Sequence, residues 1–269
     1  MRVLVTNDDG ISSPGLHALA ASVADAGLLP VVAAPSADWS GASACLGPLD
    51  DPDRVPVSRI DVPGLDGEAA TGFSVGAPPA LISMLADLGG FGPPPEMVVA
   101  GINRGPNTGR STLFSGTIGA VLAGTHFGWS GMAVSADVAV TGGTGAVGAP
   151  GFVHWETAAT VAQTVLPWLV AARAGTVLNV NAPDVPLTDL RGVRTASLAP
   201  IGGVRTVITG RDDTGLDLDL VDNHEPMPED SDTALVRAGW ATVTALAATG
   251  DSGLVLPVDE WGRALGRED

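Results

Sequence analysis

Residues 2–35 read as one strand, one helix and a second strand in direct succession, and this unit restricts the fold more than any other feature of the chain. "RVLVTN" is an apolar run of strand length. "PGLHALAASVADAG" follows, with Leu16, Leu19, Ala20 and Val23 at helical spacing, Pro14 near the start and Gly27 as a stop. "LLPVVAAP" is the second strand. Two parallel strands joined in this way need a right-handed crossover, which lays the helix on one face of a sheet.

The alternation continues. "PPALISMLADLGG" predicts a helix, "EMVVAGIN" a strand, "SGTIGAVLAGTHFG" a helix, "GMAVSAD" a strand, "HWETAATVAQTVLPWLVAARAG" a long helix and "TVLNVNAPD" a strand. The expected class is α/β, with a mostly parallel sheet and helices on both faces. Pro167 is expected to kink or end the long helix. After about Pro200 the character changes. "VRTVITGRDDTGLDLDLV" predicts a hairpin turning at "GRDDTG", with Leu216, Leu218 and Leu220 alternating against Asp217 and Asp219. "NHEPMPEDSDT" reads as an acidic loop and "WATVTALA" as one more strand. The expected organisation is a core over 1–200 and an extension over 201–269, used in oligomer contacts. "TGGTGAVGAP", 141–150, reads as a flexible Gly-rich loop without chemistry.

Composition narrows the function. The chain has 269 residues, ample for a large core. All thirteen cationic residues are Arg, and the formal net charge is -17. Such a surface repels nucleic-acid backbones and anionic membranes, so a small ligand with a bound cation fits better than a polymer. The single cysteine, Cys45, excludes an intramolecular disulfide and offers no thiolate cluster for zinc. Strand-like sequence begins at once, with no apolar leader and no apolar run of spanning length, so the expected location is the cytoplasm.

In an open parallel sheet, functional residues gather outside the carboxyl ends of the strands. The first strand ends at Asn7, Asp8 and Asp9; the second runs into "APSADWSGAS" with Ser40; the third ends in "GINRGPNTG" with Asn103 and Asn107. Two carboxylates, a hydroxyl and a side-chain amide are all oxygen donors, the set preferred by magnesium or manganese. A cation held there would attract the phosphate that the acids alone repel. The other reading of an Asp pair after a strand is a turn and cap device. Ser115, Gly116 and Thr117 stand at a helix start, where free N–H groups suit an anion, although an ordinary Gly-rich connection with a Ser cap is by itself the commoner case. Gly101, Gly105 and Gly109 let the backbone approach a ligand, and Arg104 and Arg110 add positive charge. His17, His126 and His154 read as packing or surface residues, and His224 as a weak candidate for general acid. Trp39 is a residue for packing or for stacking on a base.

With these residues assembled, the chain resembles the SurE family of survival-protein nucleotidases. "MRVLVTNDDGISSPGLHALA", "VVAAPSADWSGAS", "VVAGINRGPNTGRSTLFSGTIGAVLAG", "VLNVNAPD" and "DSDTALVRAGWATVTAL" match its segments in order, over nearly the whole chain. The resemblance implies a Rossmann-like three-layer core and a divalent-metal-dependent phosphatase acting on nucleoside 5′- and 3′-monophosphates. It implies one cation per subunit, magnesium or manganese, on Asp8, Asp9, Ser40 and Asn103, with Asp8 and Asp9 also catalytic. Asn7, Gly41, Asn107, Ser115, Gly116 and Thr117 fall at phosphate or substrate positions. A homodimer or homotetramer built through the C-terminal extension is implied as well. The chain departs from the family around Ser40, with "ADW" before and "ASA" after, and at Ala77 and Ala80, where a Thr and an Asp are usual. An aspartyl-phosphate phosphatase is a rival, although its acids normally stand as D-x-D. A binding or assembly protein with little turnover is the alternative from another class.

Overall fold

The computed structural model describes residues 1–138 and 152–248. The Gly-rich stretch 141–150 and the end of the chain from 249 lie outside the described residues.

Eleven strands are described: β1 Arg2–Thr6, β2 Leu29–Pro35, β3 Val57–Asp61, β4 Thr71–Val75, β5 Met97–Arg104, β6 Ser130–Asp137, β7 Val177–Pro183, β8 Val193–Thr195, β9 Val204–Arg211, β10 Leu216–Asp222 and β11 Ala241–Leu246. Nine form one sheet in the order β3-β4-β2-β1-β5-β6-β7-β11-β8. The run from β4 to β7 is parallel; β3 and β11 pair antiparallel to their inner neighbours β4 and β7. From β1 the chain builds outward to β2 and β4, then returns to the other side of β1 with β5. The strands reverse direction of growth there, which opens a crevice outside the carboxyl ends of β1 and β5.

Five α-helices among the described residues cover the faces: α1 Pro14–Asp25, α2 Pro79–Asp87, α3 Gly116–Thr125, α4 Trp155–Ala171 and the short α5 Asp232–Arg237. α1 starts at its proline, and Leu16, Leu19, Ala20 and Val23 are its buried stripe, as their spacing requires. With α4 they close one apolar layer over β1, β5 and β6. α2 and α3 close the other, around Leu4, Ile82, Val98 and Ile118. β1 and the first half of β5 read as continuous apolar runs because both of their faces are covered. Burying each large side chain contributes about 1.5–3 kcal/mol, so Leu19→Asp, placing a charge in the middle of this layer, would break it.

Two expectations are adjusted. Of the two outcomes expected at Pro167, a kink or an end, the end is excluded, because α4 runs on to Ala171. Tertiary packing of the helix's buried face, Val161, Ala162, Leu166 and Leu169, carries it past the missing N–H. The end of the acidic "loop" is the start of α5, whose cap Ser231 accepts a hydrogen bond from the Ala234 N–H. The β3 and β4 pair and the short strand β8, all at sheet edges, have no expectation from the sequence.

β9 and β10 form the expected hairpin, apart from the main sheet. Asp212 shapes its turn, accepting from the Thr214 hydroxyl and the N–H groups of Thr214 and Gly215. Leu216 and Leu218 are 52% and 60% exposed, since nothing in the described residues packs on that face. β11, which follows the hairpin in sequence, lies in the main sheet beside β7. No helix among the described residues is long and apolar enough to cross a membrane.

Candidate active site

The loop after β1 is built around Asn7. Its Nδ2 donates to the Gly10 carbonyl at 3.0 Å, and its Oδ1 accepts from the Gly10 N–H at 3.2 Å. Gly10 has a φ of +100°, the left-handed region this tight turn requires. The Ile11 N–H donates to the Pro35 carbonyl, tying the turn to β2. Asn7 therefore shapes the loop that carries the two acids.

Asp8 is 3% exposed and faces the start of α3. Its Oδ1 accepts the Thr117 hydroxyl at 2.5 Å, and the Thr117 N–H also donates to the carboxylate. A Cβ on residue 116 would lie 2.8 Å from Asp8 Oδ2, so only glycine lets the acid approach the helix end. Ser115 caps α3, its Oγ accepting from the Ile118 N–H. The helix terminus read from the sequence as a phosphate cradle is thus engaged in part by Asp8. Burial nevertheless pushes the Asp8 carboxyl above its ordinary value, outweighing the Thr117 hydrogen bonds.

Asp9 is pushed up to about 7, first by burial and then by the neighbouring Asp8 charge. The Arg104 N–H donates to it and the Arg104 charge lowers it, without restoring an ordinary value. Its Oδ2 is buried and has no hydrogen-bond partner. Two adjacent carboxylates in such surroundings titrate as a pair and call for a counter-ion or a shared proton.

The remaining donors approach from neighbouring strands. Ser40 stands in the exposed loop after β2, and its N–H and hydroxyl both donate to Asp38 Oδ1, at 2.7 and 2.6 Å. The same loop is tied to the acids by the Trp39 N–H, which donates to the Asp8 carbonyl at 2.8 Å. Gly41, with φ +80°, turns the chain directly after Ser40. Asn103, on β5 next to Arg104, donates from Nδ2 to the Gly105 carbonyl at 2.7 Å, so Oδ1 is the atom it can offer a cation. Ser40, with its proton directed to Asp38, likewise offers a lone pair. Among the described residues no three His, Cys, Asp or Glu side chains are arranged to hold an ion. A cation at this edge would draw on the carboxylate pair plus neutral oxygens, and the unpartnered Asp9 Oδ2 is the feature that fits it best.

Asn107 is held from behind. Its main-chain N–H donates to Asn181 Oδ1 at 2.8 Å, and its carbonyl accepts from Asn179 and Asn181 Nδ2. Its own Nδ2 donates to Ser135 Oγ at 3.0 Å. Buried Asp232 of α5 fixes the next turn, accepting from the Gly109 and Ala199 N–H groups. Sequence reasoning passed over Asp38, Ser135, Asn179, Asn181 and Asp232. A signal existed for the two asparagines: "NVN" puts two amides on one face of a buried strand, where each must find partners.

Other candidates lie elsewhere. His17 is bonded to the Ile11 carbonyl, and His154 to Asp184. His224 is exposed and lines a cavity beside the loop of Asn107. Arg110 is exposed. Ala77 and Ala80 are buried, the former in the apolar layer of α2 and α3. The burial of Asp8 and its bond to Thr117 disfavour its use as a nucleophile.

The profile of the family described as "Survival protein SurE" matches residues 3–201. Among relatives, the protein named 5′/3′-nucleotidase SurE from Edwardsiella ictaluri (strain 93-146) is 36% identical, over 91% of this chain and 89% of that one. The protein of the same name from Erwinia tasmaniensis is 34% identical, over 91% and 90%. The crystal structure of the Sure protein from Aquifex aeolicus superposes with a TM-score of 0.75 at 23% identity, covering 98% of this chain and all of the other, which shows a shared fold.

Proposed function

The chain belongs to the SurE family, and from that membership we propose that it is a nucleotidase, hydrolysing nucleoside 5′- and 3′-monophosphates with one magnesium or manganese ion per subunit. The observation that carries the reading is the pair of buried Asp8 and half-buried Asp9 at the β1/β5 crevice, with the buried Asp9 Oδ2 left without a partner. The relatives named 5′/3′-nucleotidase support the substrate class.

Asp8, Asp9, Ser40 and Asn103 would hold the ion. When bound, a divalent cation supplies Lewis acidity to a phosphoryl oxygen and to the attacking water. Thr117 and Gly116 hold Asp8 rigidly in place. Asp9 would be held ionised by the cation, and its carboxylate is suited to orient the attacking water. Asn107, gripped by Asn179 and Asn181, is a rigid contact for phosphate or sugar.

The exposed apolar residues Ile208, Leu216 and Leu218 support a homodimer or homotetramer closed through the hairpin, because a two-stranded hairpin is marginal alone. A cytoplasmic location accords with the single cysteine. The test is phosphate release from a panel of nucleoside monophosphates and phenyl phosphate, with manganese or magnesium against chelator. Metal-dependent release from nucleotides supports the reading; no release from any substrate, with manganese demonstrably bound, would leave a binding protein instead.

A further inference from the structure

A second polar recess lies next to the crevice. It is a cavity of about 170 Å³ whose lining includes Pro106, Thr108, Asp137, Asp222, His224 and Arg237. Pro106 and Thr108 flank Asn107, so the cavity shares a loop with the active-site edge. Asp137 is the last residue of β6, and the β5/β6 register pairs Asn103 with Ser135 and Arg104 with Ala136. The Gly105 N–H donates to the Ala136 carbonyl at 2.9 Å, which fastens the loop to the residue before Asp137. Asp137 therefore stands one strand over and one residue beyond Arg104, and neighbouring strands are about 4.8 Å apart.

The chemistry of the lining limits what can enter. Asp137 and Asp222 disfavour an anion. Among the described residues no three acidic, His or Cys side chains are arranged for a metal ion. Asp137 is pushed up to about 6 by burial, with Arg237 opposing and Asp222 and Asp184 adding to the rise. Arg237 is anchored by its own bond to the Gly203 carbonyl at 3.0 Å. A buried carboxylate in this position is relieved by neutral hydroxyl donors. The volume lies below the roughly 300–1000 Å³ of sites for drug-sized ligands, and suits a pentose with any attached base at the mouth.

Resting on the nucleotidase reading for its substrate, we propose that this cavity is the ribose subsite, in which Asp137 and Asp222 accept hydrogen bonds from the sugar hydroxyls. A phosphoryl group and its sugar are joined through one ester oxygen, and the recess lies two strands, about 10 Å, from the Asp8 and Asp9 pair, with the Asn107 loop at the end of β5 between them. Arg237 and His224 frame the recess from α5 and the loop after β10. The β9/β10 hairpin thereby contributes its base, through Asp222, to substrate recognition.

The test uses the full chain and two probes. Adenosine binding is measured by calorimetry on the unaltered protein, Asp137→Asn and Asp222→Asn, with 2′,3′-dideoxyadenosine alongside. Phosphate release from phenyl phosphate, which has no sugar, is followed on the same preparations. The expected result is adenosine affinity about tenfold lower in each variant, one lost charged hydrogen bond. Dideoxyadenosine, which lacks both hydroxyls, should bind the unaltered protein about a hundredfold more weakly than adenosine does, and phenyl phosphate turnover should not change. Equal adenosine affinity in all three proteins, or equal affinity for the two nucleosides, would overturn the subsite. If phenyl phosphate and the nucleotides are not hydrolysed while adenosine binding follows the expected pattern, the nucleotidase reading fails and the ribose pocket stands.

Discussion

The crevice between β1 and β5 and the turn of the β9/β10 hairpin are both built on aspartates, but the two use them in opposite ways. In the crevice, burial holds Asp8 and Asp9 above their ordinary value. In the turn, the exposed Asp212 is held below it by hydrogen bonds from Thr214 and Gly215. The turn aspartate is stabilised by the structure around it. The crevice pair is destabilised as anions, and that cost marks a place where a ligand of opposite charge belongs.

The contrast breaks most visibly at Asp9. Asp9→Asn should lower metal-dependent phosphate release by roughly 1000-fold, a loss of about 4 kcal/mol of transition-state stabilisation. Asp212→Asn should leave the rate unchanged; a comparable loss there would remove the distinction. Next in size is Asp38→Ala, which frees the Ser40 hydroxyl from its acceptor. Manganese affinity, read by calorimetry, should fall about 10- to 100-fold, the usual effect of losing a partner that orients a ligand.

The pH dependence of stability separates the two regions by sign. Asp9 has a folded value raised from 3.8 to about 7. Its contribution is complete below pH 3.8 and is lost as pH rises through 7, so the metal-free protein should weaken over that window. With allowance for solvent screening the loss is about 2 kcal/mol. Asp9→Asn should flatten this slope in thermal unfolding, and manganese should do the same in the unaltered chain. Asp212 has the opposite sign: its small contribution is present above pH 3.8 and is lost as pH falls through its lowered folded value.

The smallest expected effect on chemistry comes from the hairpin. Leu218→Asp should reduce the oligomer in light scattering while the rate with phenyl phosphate stays within about twofold, as for a surface change outside the site. An unchanged mass would leave the exposed leucines of β10 without their proposed role.

Much of this arrangement is legible in the sequence, because it rests on local signals. The stripe of Leu16, Leu19, Ala20 and Val23 declares α1, and the apolar runs of β1, β2 and β5 deliver Asp8, Asp9, Ser40 and Asn103 to one edge. The "GRDDTG" turn is legible for the same reason, since Asp212 and Gly215 act within four residues. What escapes is set by distance along the chain. Asp38 matters through its bonds to Ser40 and its proximity to the Asp pair, and Asn179 and Asn181 through a loop more than seventy residues away. α5 is short and begins in an acidic stretch, so its identity depends on the Ser231 cap and on packing under β11 rather than on periodicity.

Calorimetric titration of the full chain with manganese at pH 7, with Asp9→Asn in parallel, tests the central claim most directly. The expected result is one ion per chain, proton release on binding because burial and the Asp8 charge raise the Asp9 carboxyl to about 7, and loss of binding in Asp9→Asn. Manganese binding of equal strength in both proteins, or none in either, would contradict the assignment of the Asp8 and Asp9 pair as a cation site.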